Sequence, residues 1–123
     1  MENKIYRKNF TVQKNQSAKA VGCGTVEVLS TPIMIAFMEN VAMESLKLPP
    51  DKTSVGIFLE VNHILPTAIG KKVDVVSEVI KIQGNTIDFT IKAFSDSKEI
   101  GNCIHKRVVL DTQAFMQKVT DSL

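Results

Sequence analysis

LSTPIMIAFMEN, residues 29–40, carries one charged side chain, Glu39, inside a run that is otherwise nearly all apolar. Ser30 or Thr31 can cap a helix, and Pro32 suits its first turn because proline lacks an N–H that would be unpaired there anyway. From Ile33 to Leu46, IMIAFMENVAMESL joins good helix formers to apolar residues around most of the circumference, so the helix is expected to be buried on several sides. LKLPPDK ends it, since Pro49 and Pro50 cannot continue a helix and Asp51 favours a turn.

Downstream the apolar period changes to two. SVGIFLEVNHIL, VDVVSEVIKI, TIDFTIKAF and EIGNCIHKRVVL predict four successive strands, joined by TAIGKK, QGN and SDSK. Such short joins predict antiparallel neighbours, and Gly84-Asn85 is a hairpin signal. Upstream, Asn9 to Gln13 and Thr25 to Leu29 favour short extended pieces separated by KNQSAKAVGCG, a connection punctuated by Gly22 and Gly24 and expected to be mobile. The tail DTQAFMQKVTDSL predicts a short amphipathic helix through Phe115, Met116 and Val119. One very apolar helix followed by an antiparallel meander is an α+β pattern in which a curved sheet wraps the helix, the hot-dog arrangement. One curved sheet rarely covers such a helix alone, so a dimer, or a dimer of dimers, is expected.

At 123 residues, with 44% hydrophobic and 23% charged residues, the composition fits one domain over residues 1–123. The net charge of +2 and the scattered lysines and arginines argue against nucleic acid as a partner. MENKIYRKNF has no apolar leader, and Pro32 to Met38 is far short of a membrane span, so a cytoplasmic location without membrane contact is expected. Cys23 and Cys103 follow no metal-ligand spacing and read as free packing thiols.

Among residues that could carry chemistry, Glu39 has two readings. It lies on a narrow exposed strip beside Asn40 and Met43, or it is a functional carboxylate, since charged groups are almost never buried unless paired. Eight residues separate it from Thr31, which places the two about 80° apart around the helix axis and two turns apart along it. His63 ends an apolar row in which Val55, Ile57, Leu59, Val61 and His63 share a strand face. It reads as a core histidine or as the partner of a buried carboxylate. The Thr31 hydroxyl is explained by helix capping alone, whereas Gly56 is unusual inside a strand and marks a bulge or a close ligand approach. Arg107 shares a face with Cys103, His105 and Val109, and can meet a carboxylate, a phosphate or solvent, with solvent as the default. No GxSxG, P-loop, GxGxxG or HExxH occurs, and two histidines do not support a His-rich metal centre. Acid–base or covalent carboxylate chemistry is left.

STPIMIAFMEN, SVGIFLEVNHILPTAIGKKVDVVSEV and IGNCIHKRVVLD together resemble the fluoroacetyl-CoA thioesterase-like branch of the hot-dog thioesterases over roughly residues 17 to 115. The shared pattern is Thr-Pro at the helix start, a Glu two turns later, Val-Gly with a His seven residues after the Gly, then Pro-Thr, Gly and Val. The resemblance implies Thr31, Glu39 and His63 as the catalytic set, with Glu39 as nucleophile or base and His63 in proton transfer. It implies Gly56 and Arg107 as substrate-binding residues beside the acyl group, no metal, and no cofactor beyond the coenzyme A of the substrate. The implied reaction is hydrolysis of a short or medium acyl-CoA. An acyl-CoA binding module without hydrolysis and a hot-dog hydratase are the alternatives.

Overall fold

The computed structural model describes residues 2–122. Strand β1 (Ile5–Thr11) leads through a 3-10 turn and a short helix α1 (Ala18–Val21) to the central helix α2 (Thr31–Ser45), which is followed by strands β2 (Lys52–His63), β3 (Lys72–Gln83), β4 (Thr86–Ser95) and β5 (Lys98–Asp111) and by helix α3 (Thr112–Asp121). All neighbouring strands run antiparallel in one sheet of order β1-β3-β4-β5-β2, so β1 and β2 are its two edges. The four strands, the central helix and the C-terminal helix form as the sequence predicts, but the meander is three-stranded, β3-β4-β5: the join TAIGKK is not a hairpin, and β2 lies at the far edge of the sheet against β5.

Helix α2 buries Met34, Phe37, Met38, Val41, Ala42 and Ser45 against the sheet, the spacing of a single helix face. These side chains meet Val73, Val75, Val79, Ile87, Phe89, Ile91 and Ala93 from the inner side of the sheet. Phe37 stacks on Phe10 at 4.2 Å, so Phe37 and the fully buried Met38 belong to the core. The opposite stripe, Pro32, Ile35, Ala36 and Met43, is apolar yet half-buried or exposed, with Glu39 in its middle. A single sheet therefore leaves one greasy side of the helix open. Asn40 turns away from this stripe, because its side chain accepts a hydrogen bond from Lys8 Nζ at 2.8 Å.

Three local expectations are corrected. The first strand begins at Ile5 and not at Asn9, because Lys8 occupies an inward position between Tyr6 and Phe10 and hides the alternation; it reaches over the Phe10 ring to Glu44 at 3.0 Å. Thr25 to Leu29 forms no strand, only the bridges Ser17–Leu29 and Val28–Ala68. The connection before it is built of turns, with Ser17 capping α1 through Ala20 N and Gly22 closing it at φ 93°.

Strand β2 contains the feature that positions the site. Its register against β5 shifts between Gly56 and Phe58, a β-bulge with Ile57 as the extra residue. Before the bulge Ser54 and Gly56 lie opposite the inward Val109 and Arg107. After it, Leu59, Val61 and His63 lie opposite the inward His105, Cys103 and Gly101. The expected row from Val55 to His63 is thus broken. Val55 belongs to the other side, Ile57 is 54% exposed, and Gly56 joins His63 on the face toward the helix.

Candidate active site

Helix α2 runs antiparallel to β2, so each end of the helix meets a different part of the strand. At its N-terminus the cap is Ser30, whose Oγ accepts from Ile33 N, and Pro32 sits in the first turn. Thr31 is therefore not the cap, and its hydroxyl is free for other work. It lies 2.7 Å from His63 Nδ1. The pair lines a cleft of about 320 Å³ with Cys23, Ser30, Ile64 and Leu65 among its walls. Cys23 is exposed there, contrary to its expected packing role, whereas Cys103 is buried. Burial lowers the His63 pKa, which favours the neutral ring, and its Nε2 is buried without a hydrogen-bond partner among the described residues.

Two turns further along the helix, about 12 Å at 1.5 Å per residue, Glu39 meets a second cluster. A Cβ built on Gly56 would stand 2.7 Å from Glu39 Oε2 and 3.0 Å from His105 Cε1, so only a glycine lets carboxylate, imidazole and backbone approach this closely. Arg107 Nη1 lies 3.6 Å from Glu39 Oε2. The guanidinium does not face solvent, as the sequence default held, but is buried. Its Nε donates to Ser54 Oγ at 2.8 Å, Nη2 to the Ser54 carbonyl at 2.9 Å and Nη1 to His105 Nε2 at 3.1 Å. Burial pushes the Arg107 pKa down and the Glu39 charge opposes it. The Glu39 side chain remains 39% exposed, so a held charge presents a free edge. Cys103 is close enough to feel that charge: burial first, then Glu39, pushes its thiol up to about 12, which removes it as a nucleophile.

Of the five residues singled out from the sequence, the fold joins Thr31 to His63 and Glu39 to Gly56 and Arg107. It does not join the two groups within one chain. From Gly56 to His63 the strand spans about 23 Å at 3.3 Å per residue. Sequence reasoning missed Ser54 and His105 as members of the Glu39 cluster; the signal available was two polar residues, His105 and Arg107, on the inward face of an apolar strand. Among the described residues no group of three or more His, Cys, Asp or Glu side chains could hold a metal ion, and no helix is long and apolar enough to cross a membrane.

The sequence profile of the FlK family, fluoroacetyl-CoA-specific thioesterase, matches residues 12–113. No curated protein sequence matches the chain. Among solved structures, the fluoroacetyl-CoA thioesterase FlK superposes with a TM-score of 0.94 at 23% identity, over 100% of this chain and 97% of that one. A variant of that enzyme in complex with fluoroacetate and CoA gives 0.88 at 23% identity, over 94% and 98%. A hot-dog-like protein from Thermanaerovibrio acidaminovorans gives 0.89 at 24% identity, over 99% and 92%. These likenesses establish the hot-dog fold.

Proposed function

The chain belongs to the fluoroacetyl-CoA-specific thioesterase family, and from that premise we propose that it hydrolyses a short or medium acyl-CoA to the free acid and coenzyme A, with Glu39, Thr31 and His63 as its catalytic residues. The observation that carries this reading is the placement of Glu39. It is the lone carboxylate on the uncovered stripe of α2, set against a bare glycine backbone and an arginine that is otherwise tied down. A solvated surface carboxylate needs none of these supports.

Thioester cleavage needs an oxygen nucleophile at the carbonyl carbon, donors for the developing oxyanion, and a route for protons. The exposed edge of Glu39 drives water, or its own oxygen, onto that carbon. The backbone at Gly56 and the Thr31 hydroxyl serve the carbonyl oxygen. As the C–S bond breaks, the thiolate of coenzyme A leaves, and the proton that Glu39 takes from water is passed to its sulfur through the Thr31–His63 pair, which ends the turnover neutral. Side chains and water suffice for every step. Arg107 is committed to Ser54, His105 and Glu39, so its part in substrate binding is to fix Glu39 beside the acyl group, not to hold a phosphate.

Both halves act on one substrate in a dimer. β2 is a free edge, and the uncovered α2 stripe adjoins it. Two β2 strands paired antiparallel about a two-fold axis at Glu60, with Ile57 as the extra residue of each bulge, set Gly56 of one chain opposite His63 of the partner subunit, on a shared inner face. Glu39 then faces the Thr31–His63 pair of the other copy.

The test is purified protein against a panel that includes acetyl-CoA, fluoroacetyl-CoA and medium acyl-CoAs, with free-thiol detection. Glu39→Gln is expected to lower kcat by about a thousandfold. Full activity in that variant would refute the assignment. Single turnover in 18O-labelled water tests the covalent mode: label in Glu39 requires an anhydride opened by water at the Glu39 carbonyl, whereas direct water attack labels the product acid alone.

A further inference from the structure

His105 has no part in the scheme above, yet it is fully buried and both of its ring nitrogens are engaged. The Phe58 carbonyl, 2.9 Å from Nδ1, can only accept, and Arg107 Nη1, 3.1 Å from Nε2, can only donate. The ring therefore carries its proton on Nδ1 and a lone pair on Nε2. Burial first, then the neighbouring Arg107 charge, lower its pKa and keep it neutral, against the opposing pull of the Phe58 carbonyl and Glu39.

We propose that His105 is a positioning residue for thioester hydrolysis, a neutral clamp that seats the β2 bulge with one nitrogen and the Arg107 guanidinium with the other. The proposal rests on Glu39 being the reacting carboxylate. Phe58 is the first residue to pair with β5 after the bulge, so its carbonyl fixes where the shifted register resumes. The ring itself lies under the bulge, with Cε1 3.0 Å from the place a Gly56 Cβ would take. Its far nitrogen holds the same Nη1 that faces Glu39. Ser54 grips the other side of the guanidinium through Nε and Nη2. One ring thus sets both groups that touch Glu39, the glycine backbone and the arginine. Lysine and arginine cannot accept at the far end. A carboxylate cannot donate at the near one.

Two measurements test this. A long-range 1H–15N spectrum of the full chain at about pH 7.5, above the ordinary imidazole range, should show His105 protonated on Nδ1 and bare on Nε2; a proton on Nε2 there overturns the proposal. In kinetics, His105→Leu should lower kcat about 100-fold with KM changed less than about threefold, as misplaced catalytic groups do. His105→Gln keeps an acceptor for Arg107 and His105→Asn keeps a donor for Phe58, so each should recover only in part, to a kcat about threefold to tenfold below the parent. In a Glu39→Gln background, His105→Leu should cost nothing further, which a purely structural role does not predict. Parental kcat in folded His105→Leu overturns the proposal. If that variant does not fold, parental kcat in both Gln and Asn variants does so. A parent chain inactive on every thioester overturns the thioesterase reading instead, while the spectrum still decides the tautomer.

Discussion

The two ends of α2 hold their polar groups in opposite ways. At Glu39 the surroundings are over-determined: the guanidinium has three bonded N–H groups besides its ion pair, the imidazole has both nitrogens taken, and the glycine leaves no room for a side chain. At Thr31 one hydroxyl meets one half-buried imidazole across an open cleft, and Nε2 has no partner among the described residues. Under the proposed mechanism, the difference separates two catalytic tasks. A charge that must act at a fixed point is built into the fold, whereas a proton relay must yield as substrate enters and leaves.

The comparison can be broken first at Gly56. Gly56→Ala puts a methyl 2.7 Å from Glu39 Oε2 and should lower kcat by about 100-fold through displacement of the carboxylate. At the open end, Ser30→Ala removes a hydroxyl beside the cleft and should cost about 1 kcal/mol of stability through the lost cap, and little activity. Equal losses of activity at the two ends would erase the distinction.

Arg107→Met probes the same contrast in stability. It leaves the Ser54 carbonyl and His105 Nε2 without their donor, and about 3 kcal/mol should be lost, read as a denaturation midpoint. Thr31→Ala and His63→Ala should each lower kcat by about tenfold to a hundredfold, with little change in stability. The double variant should be no worse than the weaker single one, because the two residues work through one 2.7 Å contact. Additive losses would mean that they act separately.

The smallest expected effect is on pH. Both histidines have pKa values lowered from the usual 6.5, chiefly by burial. Between those lowered values and 6.5 the unfolded chain binds more protons than the folded one, so this contribution is intact above 6.5 and is lost as pH falls below it. A denaturation midpoint lower at pH 5.5 than at pH 7.5 is expected, by about 1 kcal/mol or less. His105→Gln should reduce the difference.

Much of this layout is legible in the sequence because it rests on strong local signals. The prolines bracket α2, and the β4 alternation of Ile87, Phe89, Ile91 and Ala93 names its buried face, all four being buried in the fold. The joining of Gly56 to the Glu39 side is not legible, for a specific reason. Val55, Ile57 and Leu59 are all apolar, so the period-two pattern runs on unbroken across an extra residue, and nothing in the composition of β2 reports the change of side. Ser30 and Thr31 are chemically equivalent caps; only the backbone decides which hydroxyl is spent and which is left over for His63. Arg107 shows the limit from the other direction. Arginine is so often solvated that its inward position on β5 carried less weight than its charge, although the alternation of that strand already placed it with Cys103.

The free β2 edge has a thermodynamic consequence. If each site takes Glu39 from one chain and the Thr31–His63 pair from another, acyl-CoA binds only the associated form and favours association by mass action. Specific activity should then fall as the protein is diluted through its dimer dissociation constant, and saturating substrate should delay that fall. By reciprocity, any change to Ile35, Ala36 or Met43 that loosens the contact also weakens apparent substrate affinity, without touching the acyl group. On that arrangement, selection for substrate and selection for self-recognition act on the same stripe of helix.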